Sequence, residues 1–75
     1  MSDAIDFSLR GEHITLDALL KASGIVSSGG AAKVLIGVGG VRVNGEGETR
    51  RGRKLRAGDE VAVGAQRVRL HAVKV

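Results

Sequence analysis

Five consecutive positions hold Arg50, Arg51, Gly52, Arg53 and Lys54, four cations around one glycine. Side chains at that density can each neutralise a neighbouring phosphate, and arginine's planar fork matches phosphate oxygens better than lysine's point charge does. The glycine between them is expected to let the loop follow a ligand's contour. Other residues able to do chemistry do not assemble into a catalytic set. Cysteine is absent, His13 and His71 are far apart in the chain, and no serine lies in a nucleophile-elbow pattern. His13 and Asp17 share a helical spacing of four, but two ligands make a poor metal site and a surface hydrogen bond explains them better. Glu46 and Glu48 resemble an acid and base pair, yet on a glycine-rich turn both are expected to be solvated and unshifted. No enzymatic activity, cofactor or metal is expected.

Phosphate-binding motifs fail on spacing. Gly29-Gly30-Ala31-Ala32-Lys33 lacks the glycine, lysine and hydroxyl spacing of a phosphate loop, and Gly37-Val38-Gly39-Gly40 follows a helical pattern where a dinucleotide fingerprint must follow a strand. Charge distribution favours a polyanion instead. The net charge is +4, but it is unevenly spread. Before Arg42 the acids Asp3, Asp6, Glu12 and Asp17 slightly outnumber Arg10, Lys21 and Lys33. From Arg42 onward, Arg42, Arg50, Arg51, Arg53, Lys54, Arg56, Arg67, Arg69 and Lys74 face only Glu46, Glu48, Asp59 and Glu60. The competing explanation is a solvated surface that keeps a small domain soluble.

The aromatic content narrows the mode of binding. Phe7 is the only aromatic residue, and its place in an alternating segment assigns it to the core. Base stacking on aromatic platforms is thereby nearly excluded, so recognition should rest on backbone charge and shape, as suits folded or double-helical RNA.

The elements that must position these residues follow from periodicity. Ala4 to Arg10 alternates Ile5, Phe7 and Leu9 with Asp6, Ser8 and Arg10, which predicts a half-buried strand ending at Gly11. Thr15 is expected to cap a short helix carrying Leu16, Leu19 and Leu20, with Gly24 as its stop. Ser27 or Ser28 caps a second helix to about Val38, with Ala32, Leu35 and Ile36 inward. On its other face Gly29, Gly30, Lys33 and Gly37 fall together, explained either by close packing on the first helix or by close approach of a phosphate. Val41 and Val43 then alternate with Arg42 before an Asn44-Gly45 turn, with Glu48 to Arg50 as the returning strand. Leu55 is an isolated apolar anchor. Ala57-Gly58-Asp59 forms a turn, Glu60 to Val63 a strand, and Arg67 to Val75 a final strand after Gly64-Ala65-Gln66, with Val68, Leu70 and Ala72 inward. Strand, two packed helices, then small antiparallel hairpins make an α+β fold.

The chain is expected to form one domain over residues 1–75, since so few residues cannot supply two cores. Its longest uncharged stretch, Val34 to Val41, is too short to span a bilayer, and the protein is expected to be cytoplasmic and monomeric.

The ordered set Leu16-Asp17-Ala18-Leu19-Leu20, then Ser27-Ser28 with Ala32, Lys33, Leu35 and Ile36, then Gly39, Val41-Arg42-Val43-Asn44-Gly45 and Leu55-Arg56-Ala57-Gly58-Asp59-Glu60-Val61, resembles the S4 RNA-binding domain, built on the αL motif. It covers residues 15–63 and looks most like the short stand-alone bacterial members, the YbcJ-like group. The resemblance implies binding of structured RNA, ribosomal or transfer RNA, with ribosome association. It also implies contacts from Ser28 and Lys33 on the second helix, Arg42 on the hairpin, and Arg50, Arg51, Arg53 and Lys54 on the loop. One departure is that Gly29 and Gly30 stand where many S4 domains place an arginine after the helix-opening serine, which shifts the expected binding energy onto the loop. The alternative is a protein-interaction module that docks on the ribosome or an enzyme through the glycine face.

Overall fold

The alternation that begins at Ala4 forms strand β1 (Asp3–Leu9) in the computed structural model, which describes residues 3–73. Ile5, Phe7 and Leu9 pack on the core while Ala4, Asp6 and Ser8 are exposed, the two-residue period of a strand covered on one face. Strand β2 (Ile14–Thr15) leads into helix α1 (Leu16–Ala22), which buries Leu16, Leu19 and Leu20. Helix α2 (Gly29–Gly37) buries Ala32 and Ile36 against the same core. Five short strands follow: β3 (Arg42–Val43), β4 (Glu46–Gly47), β5 (Lys54–Leu55), β6 (Glu60–Val63) and β7 (Gln66–Ala72). The expected final residues of the last strand, Lys74 and Val75, lie outside the described residues.

Five strands form one sheet in the order β1-β7-β6-β3-β4, and β2 pairs with β5 in a separate ribbon. The hairpins are antiparallel, as a two-residue turn requires. Asn44 and Gly45 turn β3 into β4 with φ of 52° and 85°, the two left-handed positions that a type I′ turn needs. The returning strand is therefore Glu46–Gly47, not the expected Glu48 to Arg50. A turn of two residues brings Glu46 directly opposite Val43, and the strand ends at Gly47 with one further backbone bond, from the Glu48 amide to the Val41 carbonyl. The N-terminal strand is not part of a hairpin. It pairs parallel with β7 over its whole length, from Asp3 opposite Gln66 to Leu9 opposite Ala72. Both helices and the other strands lie between the two in the chain, and only so long a connection permits parallel neighbours.

Leu9, Leu16, Leu19, Leu20, Ala32, Ile36, Val41, Val43, Leu55, Val61, Val68 and Leu70 form one buried cluster. All the buried positions of the sheet share one face, turned to the helices, so Arg42, Arg67 and Arg69 stand on the other. Ala72, expected inward, is exposed beside a cleft lined by Leu9, Arg10, Gly11 and Val73.

α2 ends in a Schellman motif, in which the Gly39 amide donates to the Ile36 carbonyl (3.1 Å) and the Gly40 amide to that of Leu35 (3.0 Å). Gly39 has φ +80°, and a Cβ on Gly40 would meet Leu35 Cδ1 at 2.7 Å. Glycine at both positions lets the chain turn off the helix directly into β3.

Of the two explanations for the glycine face of α2, close packing of Gly29, Gly30 and Gly37 on α1 is not found. All three are exposed, and a Cβ on any of them would meet at most the Ser28 hydroxyl at 3.9 Å. The buried stripe of α2 runs through Ala32 and Ile36, which puts the glycines on the solvent side.

Candidate nucleic-acid interface

The basic loop is built on a carboxylate. Glu48 is only 6% exposed, and its backbone amide donates to the Val41 carbonyl at 3.0 Å, fixing it beside the end of α2 and the start of β3. Its Oε2 accepts from the Thr49 and Arg50 amides, both at 3.1 Å, and from Arg50 Nε at 3.2 Å. Its Oε1 accepts from Arg50 Nη2 at 3.3 Å and Arg53 Nη1 at 2.9 Å. One carboxylate thus gathers two guanidiniums and two backbone amides. The Arg50 side chain, then that of Arg53 and the Arg50 amide, lower the Glu48 pKa from 4.5 to about 2. The expectation that Glu48 is solvated and unshifted is overturned, because the turn that releases the chain after Gly47 carries this residue under its own following arginines.

The loop's backbone is also tied down. The Arg53 carbonyl accepts from the Leu16 amide at 2.9 Å and the Arg51 carbonyl from the Asp17 amide at 3.1 Å. These are free donors of the first turn of α1. They explain why Thr15, although it stands at the N-cap, makes no side-chain cap bond. At the loop's far end Lys54 pairs with Thr15 and the next residue, Leu55, with Ile14, so the buried Leu55 anchors that end beside the start of α1.

Held this way, the four cations divide. Arg50 and Arg53 are ion-paired to Glu48, with side-chain exposures of 76% and 31%. Arg51 and Lys54 are exposed and make no ion pair among the described residues. Gly52 has no positive φ and open space around its Cβ position. The loop's path in the free protein therefore does not depend on a glycine there.

The other expected contact residues are not joined to this loop by any hydrogen bond or ion pair among the described residues. Ser28 is exposed, and its Oγ accepts from the Ala31 amide at 3.1 Å as the cap of α2. Lys33 is exposed on α2, whose solvent side also carries Val34 and Val38. Arg42 stands on the sheet face away from the helices.

Behind the loop, Asp59 braces the hairpin base. Its Oδ2 accepts from the Arg56 amide (2.9 Å) and its Oδ1 from Asn44 Nδ2 (3.1 Å), while Asn44 Oδ1 accepts from the Glu60 amide (2.9 Å). Burial alone would raise the Asp59 pKa; those two donors and the nearby Arg53 and Arg56 charges hold it below the ordinary value.

Sequence reasoning missed Glu48 as the organiser of the loop. The signal available was a lone acid two and five positions ahead of arginines. Nothing in the sequence marked the two-residue pairing of β2 with β5.

Three comparisons place this geometry among known proteins. A model of the S4 domain family matches residues 7–71. The "Probable ribosome maturation protein RlbA" of Bacillus subtilis (strain 168) is 45% identical over 56 residues, which span 75% of this chain and 79% of that protein. The solution structure of YbcJ from E. coli, described as revealing an αL motif involved in RNA binding, superposes with a TM-score of 0.68 at 33% identity. The match covers 96% of this chain and 90% of YbcJ.

Proposed function

From the premise that this chain belongs to the S4 domain family, we propose that it binds structured RNA of the ribosomal or transfer class without catalysing a reaction, as one cytoplasmic module. The observation that carries this is the Glu48-centred loop. Its Arg50 and Arg53 guanidiniums are tied to Glu48 and its Arg51 and Arg53 carbonyls to α1, so the backbone that presents Arg51 and Lys54 is ordered before any ligand arrives and less freedom is lost on binding than from an unrestrained loop. Arg51 and Lys54 are the primary phosphate contacts, Arg50 adds its exposed edge, and Arg53 chiefly maintains the loop. Lys33 and Ser28 extend the contact along α2, where the bare glycines allow a backbone to come close. RlbA, named for ribosome maturation, favours ribosomal RNA and ribosome association.

The test is filter binding of a ribosomal stem-loop and of bulk transfer RNA across a salt series. Affinity should fall steeply with salt, and Arg51→Glu with Lys54→Glu should abolish it while the melting temperature stays near wild type. These two substitutions leave the Glu48 ion pairs intact, so unchanged binding would refute the loop's role without ambiguity about folding.

A second reading, docking on a protein through α2, is favoured by Val34 and Val38, 65% and 75% exposed beside the glycine face. It predicts a nuclease-resistant complex that survives the loop substitutions and is lost in Gly30→Trp.

A further inference from the structure

The sheet face turned away from the helices carries cations in two rows with opposite fates. In one, Asp6, Arg69 and Glu60 are successive cross-strand partners, and Arg69 Nε lies 3.2 Å from Glu60 Oε2. Asp6 Oδ1 lies 2.9 Å from His71 Nε2, so each acid of this row has a basic neighbour. In the next row, Ala4, Arg67, Ala62, Arg42 and Gly47 are successive partners. Arg67 and Arg42 flank Ala62, and no carboxylate stands among these five. Neither arginine makes a hydrogen bond or ion pair with another described side chain.

Strands in a sheet are spaced about 4.8 Å apart, so two arginines separated by one strand have Cα atoms about 10 Å apart. Between them the small Ala62 leaves room for two guanidiniums to converge on one group. The space is a cleft of about 390 Å³ lined by Gly39, Gly40, Arg42, Ala62, Gly64 and Arg67. Three of the six lining residues have no side chain to fill it.

We propose that this cleft is a second phosphate site, taking one backbone phosphodiester of the RNA whose neighbouring segment contacts the basic loop. The proposal rests on the RNA-binding function argued above and adds Arg67 and the solvent face of the sheet to the contact surface. Two unpaired guanidiniums suit a phosphodiester, which offers two unbridged oxygens to two forks. With this contact the RNA wraps from the loop at the N-terminus of α1 around to the opposite face of the sheet.

The experiment uses the full chain with the same ribosomal stem-loop. Arg42→Gln, Arg67→Gln, the double variant and Lys21→Gln, a charge-matched control elsewhere, are compared over a salt series, with melts to verify folding. Each single variant should weaken binding about tenfold. The double should lose less than the product of the two, because both side chains hold one phosphate. Its slope of log K against log salt should fall by roughly 0.7 to 0.9, the loss of one phosphate contact. Lys21→Gln should change little. In amide NMR spectra of the wild type, Gly39, Gly40 and Gly64 should shift on adding the RNA and stay unshifted in the double variant. If the arginine variants bind as wild type while the loop variant does not, the cleft proposal fails and RNA binding stands. An equal loss in Lys21→Gln reduces the effect to general charge and also overturns the cleft. If the wild type shows no salt-dependent RNA binding, both fall.

Discussion

Glu48 decides what the basic loop is. Without it, four cations within five residues would repel one another and sample many conformations; with it, Arg50 and Arg53 are held by hydrogen bonds to a single carboxylate. This has a pH signature. A carboxyl whose folded pKa is about 2 against an ordinary 4.5 stabilises the fold above the higher value and loses that contribution as pH falls through the lower one. Thermal melts from pH 7 to pH 2.5 should therefore show wild type losing stability more steeply than Glu48→Gln below about pH 4.5. At pH 7 Glu48→Gln should melt lower and bind RNA more weakly, despite its higher net positive charge. Gly52 supplies the converse case. Because its backbone is open to any residue, Gly52→Ala should fold normally and gain about 0.4 to 1 kcal/mol from a less flexible unfolded chain, measurable by urea denaturation.

The two helices are capped by different means, and each predicts a different response. α2 uses its own Ser28 hydroxyl, so Ser28→Ala should cost about 1 kcal/mol in denaturation experiments. α1 takes its caps from the carbonyls of Arg51 and Arg53, so Thr15→Val should leave stability within about 0.5 kcal/mol of wild type. That difference couples loop to helix. Hydrogen exchange of the Leu16 and Asp17 amides should accelerate in Glu48→Gln, because loosening the loop removes their acceptors. At the other end of α2, Gly40→Val should be destabilising, since its Cβ would displace the Leu35 side chain and crowd the Leu35 carbonyl at 3.1 Å.

At the scale of the whole molecule, the sheet separates two surfaces. Its inner face closes the core over the helices, and its outer face leaves Arg42 and Arg67 open beside a row in which Arg69 is matched by acids. The periodic elements were legible in the amino-acid order. The apolar spacing of Leu16, Leu19 and Leu20, the Ser28 cap, the Asn44-Gly45 turn and the alternation in β1 and β7 are local signals, because each depends on residues within a turn or two of one another. The ordered motifs also made the family legible. Tertiary structure alone decided which way β1 pairs, since parallel neighbours are distant in sequence and carry no turn signal between them. It decided that the glycine face of α2 is open, because exposure depends on where the neighbouring helix lies. And it decided the state of each cation. Whether an arginine is matched by an acid depends on cross-strand register and on buried carboxylates such as Glu48, and composition shows only the sum of charges, not their distances.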